Sequence, residues 1–178
     1  MPYSPVATPN FPAGYPATPA NFTTWVQDSL GFATAGTMFR GQRVAAQSLS
    51  ATTYNIIDFD TIAEDPYSGW SATSTGSQAA FSYLVPFTGW YQILVTACIA
   101  TLSTTLGAAI SITGNATQLL QAEVLVSNQN TGGATGTVTL PLTGGFDYVQ
   151  GQAWVGNAAT TNTTSTFPTT MEILFIST

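Results

Sequence analysis

The sequence predicts an all-β sandwich or barrel over residues 37–178, preceded by an extended proline-rich arm over 1–17 and a short helix with its linker over 18–36. Three observations carry this reading. Six of the ten prolines fall within the first nineteen residues. From Thr37 onward, short runs of alternating apolar and polar residues recur. Turn signals rich in Gly, Asn and Pro separate those runs at close intervals, as in sandwiches and barrels.

The arm comes first. Pro2, Pro5, Pro9, Pro12 and Pro16 remove backbone donors and favour extended polyproline-like segments, so residues 1–17 can span about 50 Å. Tyr3, Phe11 and Tyr15 give this arm apolar contact points for docking onto a neighbouring subunit. In the next segment Thr18 can cap a helix, Pro19 suits its first turn and Gly31 the position after its end. Phe22, Trp25, Val26 and Leu30 fall on one face of that helix, a face that must pack against its own domain or another protein. Strands are then expected near 38–46, 52–59, 79–86, 90–101, 107–113, 118–127, 134–140, 147–156 and 170–177. The alternation is clearest in Gln92-Ile93-Leu94-Val95-Thr96 and in Ala108-Ala109-Ile110-Ser111-Ile112.

Composition says what surrounds such a fold. The 178 residues suit one domain plus a tail, and 44% are apolar, yet only 6% are charged where about 25% is usual. A monomer of this size exposes roughly 8,000 Å², which leaves about one charge per 800 Å². With no Lys at all, the chain lacks the usual defence of exposed strand edges. Its edges are therefore expected to be short, paired or covered, and its flanks to be shared with neighbours. Arg40 and Arg43 are the only cations against eight acids, which excludes nucleic acid and disfavours anionic membrane surfaces. No stretch has the length or apolarity of a spanning helix, so membrane insertion is not expected. The amino terminus lacks the basic and apolar regions of a secretory signal. Synthesis in a cytoplasm is the expectation that follows. Cys98 is the only cysteine, lies in an apolar run, and reads as a buried, inert thiol.

Little in the chain points to catalysis. The absence of His and Lys removes the commonest general base, most zinc and triad chemistry, and Schiff bases. A binding protein rather than an enzyme is the expectation, with no cofactor. Asp58, Asp60, Glu64 and Asp65 form the one acidic cluster and are candidate oxygen ligands for calcium. On a strand, Asp58 and Asp60 would share a face about 6.5–7 Å apart, a spacing compatible with paired carboxylates of a glycosidase. The simpler reading of the cluster is a solvated face running into the Asp65-Pro66 turn. Arg40 and Arg43, three apart, point to opposite strand faces, each able to pair with these acids or with a neighbouring chain. Trp90 and Trp154 sit in strand patterns and read as core, whereas Trp70, in the turn-rich YSGW segment, reads as a surface recognition residue.

Residues 79–93, AAFSYLVPFTGWYQI, carry a resemblance. They resemble the pattern Phe-x-x-Pro-x-x-Gly-x-Tyr-x-hydrophobic of complement-type globular heads and their tumour-necrosis-factor-like relatives, with Tyr83, Pro86, Gly89, Tyr91 and Ile93 at the matching positions. The run Gly145-Phe146-Asp147-Tyr148-Val149 is similar to that family's Gly-Asp-x-Val segment with Phe146 inserted. The ending from Ser165 to Phe175 resembles its final turn and strand. The resemblance implies a homotrimeric jelly-roll β-sandwich in which Pro86 ends a strand, Gly89 makes a tight turn and Tyr91 packs inside. In place of a collagen stalk stand the arm and helix. The opening FPAGYPATPANFTTWVQDSLGF and the later EDPYSGW resemble minor tail proteins of phages that infect actinobacteria. This implies a structural protein on the virion surface, bound to itself and to other virion proteins. The alternatives it leaves are a capsid decoration protein of the same fold and a head that binds a host receptor or glycan. The residues that would make its contacts are Tyr3, Phe11, Tyr15, Phe22, Trp25, Arg40, Arg43 and Trp70.

Overall fold

Thirteen strands and no helix make up the described part of the computed structural model, which covers residues 36–76, 78–100, 104–113, 117–126, 132–162 and 168–177. The arm, the helix, and with them Tyr3, Phe11, Tyr15, Phe22 and Trp25 lie outside the described residues. The strands are β1 (Thr37–Arg43), β2 (Ser48–Leu49), β3 (Tyr54–Ile56), β4 (Thr61–Glu64), β5 (Trp70–Ser71), β6 (Ser82–Leu84) and β7 (Gly89–Ile99). They continue as β8 (Thr104–Thr113), β9 (Thr117–Val126), β10 (Gly132–Leu142), β11 (Tyr148–Val155), β12 (Ala159–Thr160) and β13 (Thr169–Ser177).

Two antiparallel sheets build the sandwich. The first runs β10-β7-β13-β1-β4, and the second runs β5-β6-β11-β8-β9 with β3 also paired to β11. β2 and β12 form a small separate ribbon. The first and last strands of the described fold, β1 and β13, are adjacent and central to one sheet, so the sheet closes only after the whole chain has been laid down. This is the non-local pairing of a jelly roll.

The alternation read in the sequence decides which faces are buried. In β7, Tyr91, Ile93 and Val95 are fully buried while Trp90, Gln92, Leu94 and Thr96 look outward. From β13, Met171 and Ile173 point inward beside them. The second sheet contributes Tyr83, Leu106, Ile110, Ile112, Val149 and Val155. At one side of the core, Phe39 stacks on Trp70 at 5.1 Å and meets Tyr83 at 5.2 Å and Phe59 at 6.4 Å between ring centroids.

The Trp assignments therefore exchange places. Trp90 is 46% exposed, because Tyr91 takes the inward position and the strand period puts its neighbour on the other face. Trp70 is half-buried against Phe39 and Phe59, held there by β5 pairing with β6. Trp154 is also only half-buried, on the outer side of β11.

The motif around Pro86 folds largely as the resemblance implies. The Tyr91 hydroxyl donates to the carbonyl of Phe87 at 2.7 Å and accepts from its N–H at 3.3 Å, which pins the turn to the core. Burial pushes the phenol far above its usual range, so it stays a neutral donor. Gly89 departs from the expectation. It opens β7 opposite Leu142 rather than making a turn, and a Cβ there would lie 2.4 Å from the Ser177 carbonyl oxygen. Gly89→Ala is expected to destabilise the fold by about 1–3 kcal/mol through overpacking. An unchanged urea midpoint would show that β13 can give way.

Candidate oligomer interface

The outer face of the first sheet assembles row by row from the register of its strands. Leu94 pairs with Glu172 on one side and Thr137 on the other, and Glu172 continues to Arg40 and Glu64. The next row, toward the carboxyl end of β7, holds Gln42, Thr170, Thr96 and Thr135, with the Thr96 and Thr135 hydroxyls 3.0 Å apart. In the opposite direction lie Leu174, Gln92 and Thr139, then Trp90 and Pro141. Ile176, 54% exposed, stands near the end of β13. Thr, Gln, Leu, Trp and Pro thus cover most of this surface.

Charge enters the face in a single row. Arg40, 41% exposed at its side chain, donates to Glu172 at 2.7 Å and to Glu64 at 3.0 Å. Arg43 belongs elsewhere. Its guanidinium is largely buried at the end of β1, where it reaches Asp58 at 3.1 Å and Asp60 at 3.4 Å and donates to the carbonyls of Ala45, Ala46 and Asp58. The two arginines divide four acids between them, Glu64 and Glu172 to Arg40, Asp58 and Asp60 to Arg43.

Each calcium candidate has a partner within the chain. Asp58 and Asp60 are engaged by Arg43, Glu64 by Arg40, and Asp65 accepts the N–H groups of Gly69 and Trp70 at 2.9 and 3.0 Å. Among the described residues no three acids, histidines or cysteines converge as a metal site would require. The segment between Ile57 and Asp60 is not a strand, so the four carboxylates share no sheet face. Each has a structural partner instead. Burial alone would raise the pKa of Asp60, but the N–H groups of Val44 and Ala45 and the charge of Arg43 outweigh it and hold the carboxyl below its ordinary value. Its contribution to stability is thus complete above the ordinary carboxylate range and is lost as pH falls through the lowered value.

Cys98 is buried and free, and burial raises its thiol pKa, which leaves it a poor nucleophile. Among the described residues no helix is long and apolar enough to cross a membrane. Arg40, Arg43 and the six acids whose side chains are described all have partners. None of these charges is left to dress the Trp90 end or the Thr96 row of the face. The sequence reading pointed to Arg40 and missed that Trp90, Leu94, Leu174 and Ile176 share the same surface. The signal available was the parity of β7 once Tyr91 had been placed inside.

Two antiparallel sheets in these orders form a jelly-roll sandwich. No family model matches the chain, and no curated protein matches it. Solved structures do. Murine APRIL at pH 5.0 superposes with a TM-score of 0.58 at 12% identity, covering 79% of this chain and 98% of that one. The globular domain of zebrafish complement 1qA protein gives 0.55 at 12% identity over 78% of this chain and 95% of its own. Eiger TNF from S. frugiperda gives 0.54 at 12% identity over 79% and 91%. At that identity the likeness establishes the fold.

Proposed function

We propose that the chain is a virion structural protein of a tailed bacteriophage, a minor tail protein at the particle surface, whose jelly-roll heads assemble as homotrimers through the outer face of the β10-β7-β13-β1-β4 sheet. It works by binding and not by catalysis. The observation that carries this reading is the face itself: exposed Trp90 and Ile176 and half-buried Leu94 and Leu174 set among neutral Thr and Gln, crossed by one ion-paired row. Such a surface is poorly matched to water but well matched to a second protein surface, whose fully buried core is typically apolar and depleted of charge. An obligate interface commonly buries 2,000 Å² or more in total. The tail location is supported by the resemblance of the residues before the head to actinobacteriophage minor tail proteins.

Arg40 should matter more for assembly than for folding. A pair this exposed adds at most about 1 kcal/mol to a monomer. Within an interface, its removal would leave Glu172 and Glu64 desolvated and facing each other, a loss of about 2–5 kcal/mol. Arg40→Ala is therefore expected to weaken self-association at least about 30-fold while the melting temperature of the dissociated chain barely moves. Sedimentation over a concentration series reads the first, calorimetry the second. Electron microscopy of particles made with and without the chain tests the location. Loss of tail density is expected. Loss of capsid density would instead make it a decoration protein, and unchanged particles would refute a structural role.

A further inference from the structure

The loop between β10 and β11 presents Phe146 to solvent, 57% exposed, from a backbone that is fully tied down. Thr143 N–H donates to Asp147 Oδ2 at 2.7 Å, Gly144 N–H to Thr88 Oγ1 at 3.0 Å, and Gly145 N–H to the Val85 carbonyl at 2.8 Å. The N–H groups of Phe146 and Asp147 both go to the Thr143 carbonyl, at 3.2 and 3.0 Å. Gly145 takes φ +71, a conformation that favours glycine, and so sets the direction of the residue that follows. Phe146 is also the residue inserted into the Gly-Asp-x-Val pattern that the segment otherwise resembles. A large apolar side chain on a surface loop is ordinarily a liability, and this one is held in place.

The surroundings narrow what it meets. The loop packs on the turn from Val85 to Thr88, so it lies at the end of the sandwich where β7 begins and β13 finishes. In these two loops and the adjoining ends of β7, β10 and β13 the only charged side chain is Asp147, which is wholly buried. Because residues 143–147 have already used their N–H groups internally, the loop has no main-chain donors to offer a sugar or another polar ligand. Recognition there rests on an apolar ring of fixed orientation, which is the chemistry of an aromatic anchor entering an apolar pocket on a protein. β1 also starts at this end: Thr37 pairs with Leu174, near where β13 finishes. The thirty-six residues before it join the head here.

We infer that this end is the seat of the head, and that Phe146 inserts into an uncharged apolar pocket of the virion protein to which the residues before Thr37 are anchored. The inference rests on the tail-protein reading and adds to it a contact made by the head itself. Its test counts copies of the full chain per purified particle by quantitative mass spectrometry, for the wild type, Phe146→Ala and Phe146→Leu. Sedimentation and melting temperature of each purified chain are the controls. Loss of a central aromatic anchor should lower occupancy of Phe146→Ala at least about tenfold, with Phe146→Leu between. Oligomeric state and melting temperature should stay as in the wild type. Wild-type occupancy of Phe146→Ala would overturn the inference. So would a changed oligomer, which would place Phe146 between copies, or full occupancy with lost adsorption to host cells, which would make it a receptor contact. A wild-type chain absent from particles would instead overturn the tail-protein reading, and the inference would fall with it.

Discussion

Leu94→Glu is expected to leave the chain monomeric. Leu94 sits mid-strand on the outer face of β7, half-buried, with Glu172 directly across on β13 and Thr137 on β10. A carboxylate there would lie opposite Glu172, which already shares Arg40 with Glu64. Like charges across a strand pair repel by a few tenths of a kcal/mol when wet. In a closed interface the new charge must also lose its water without a partner, which costs several kcal/mol. Association should therefore weaken by about 100-fold or more, whereas the monomer, with that face in water, should fold nearly as before. Sedimentation equilibrium at micromolar concentration gives the answer. An oligomer as tight as the wild type would mean that copies meet through some other surface.

The largest loss of stability is expected from Phe39→Ala. The Phe39 ring is fully buried and meets Trp70, Tyr83 and Phe59, which links β1 of the first sheet to β5 and β6 of the second. Deleting such a side chain typically costs about 3–5 kcal/mol in transfer energy and residual cavity. For a chain of this length that corresponds to a fall in melting temperature of about 10 °C. Phe39→Leu should recover a good part of it. Because β1 carries Arg40 and pairs with both β13 and β4, loosening it should also weaken association, so the two variants must be compared at one protein concentration. A loss under about 1 kcal/mol would show that the aromatic cluster closes over the gap.

Long strands were the most legible part of the sequence. β7 alternates buried and outward residues from Gly89 to Thr96, so the period alone marks it. Ribbons of two residues such as β2 and β12 have no period to read, and they form because β-sheet partners more than a hundred residues away are brought alongside. The strand expected over 52–59 shrinks to β3 because Thr52, at φ 55, turns the chain before it and the residues after Ile56 cross toward the other sheet. Neither event has a local signal stronger than the apolar run itself. The ion pairs show the same limit. Proximity in sequence grouped Asp58, Asp60, Glu64 and Asp65, yet the fold gives them to different partners, and Glu172, 132 positions from Arg40, completes the one charged row of the outer face. Trp90 was within reach. Placing Tyr91 in the core requires its neighbour to face out, and reading Trp90 as core because it sits in a strand pattern hid that.

The most direct test is the mass of the purified full-length chain in solution. The shared-surface account predicts a closed oligomer near three times the 18.6 kDa chain mass, persisting to micromolar concentration and insensitive to moderate salt because few charges cross the contact. A species that sediments at the mass of one chain, at every concentration up to tens of micromolar, would mean that Trp90, Leu94, Leu174 and Ile176 face water, and would contradict it.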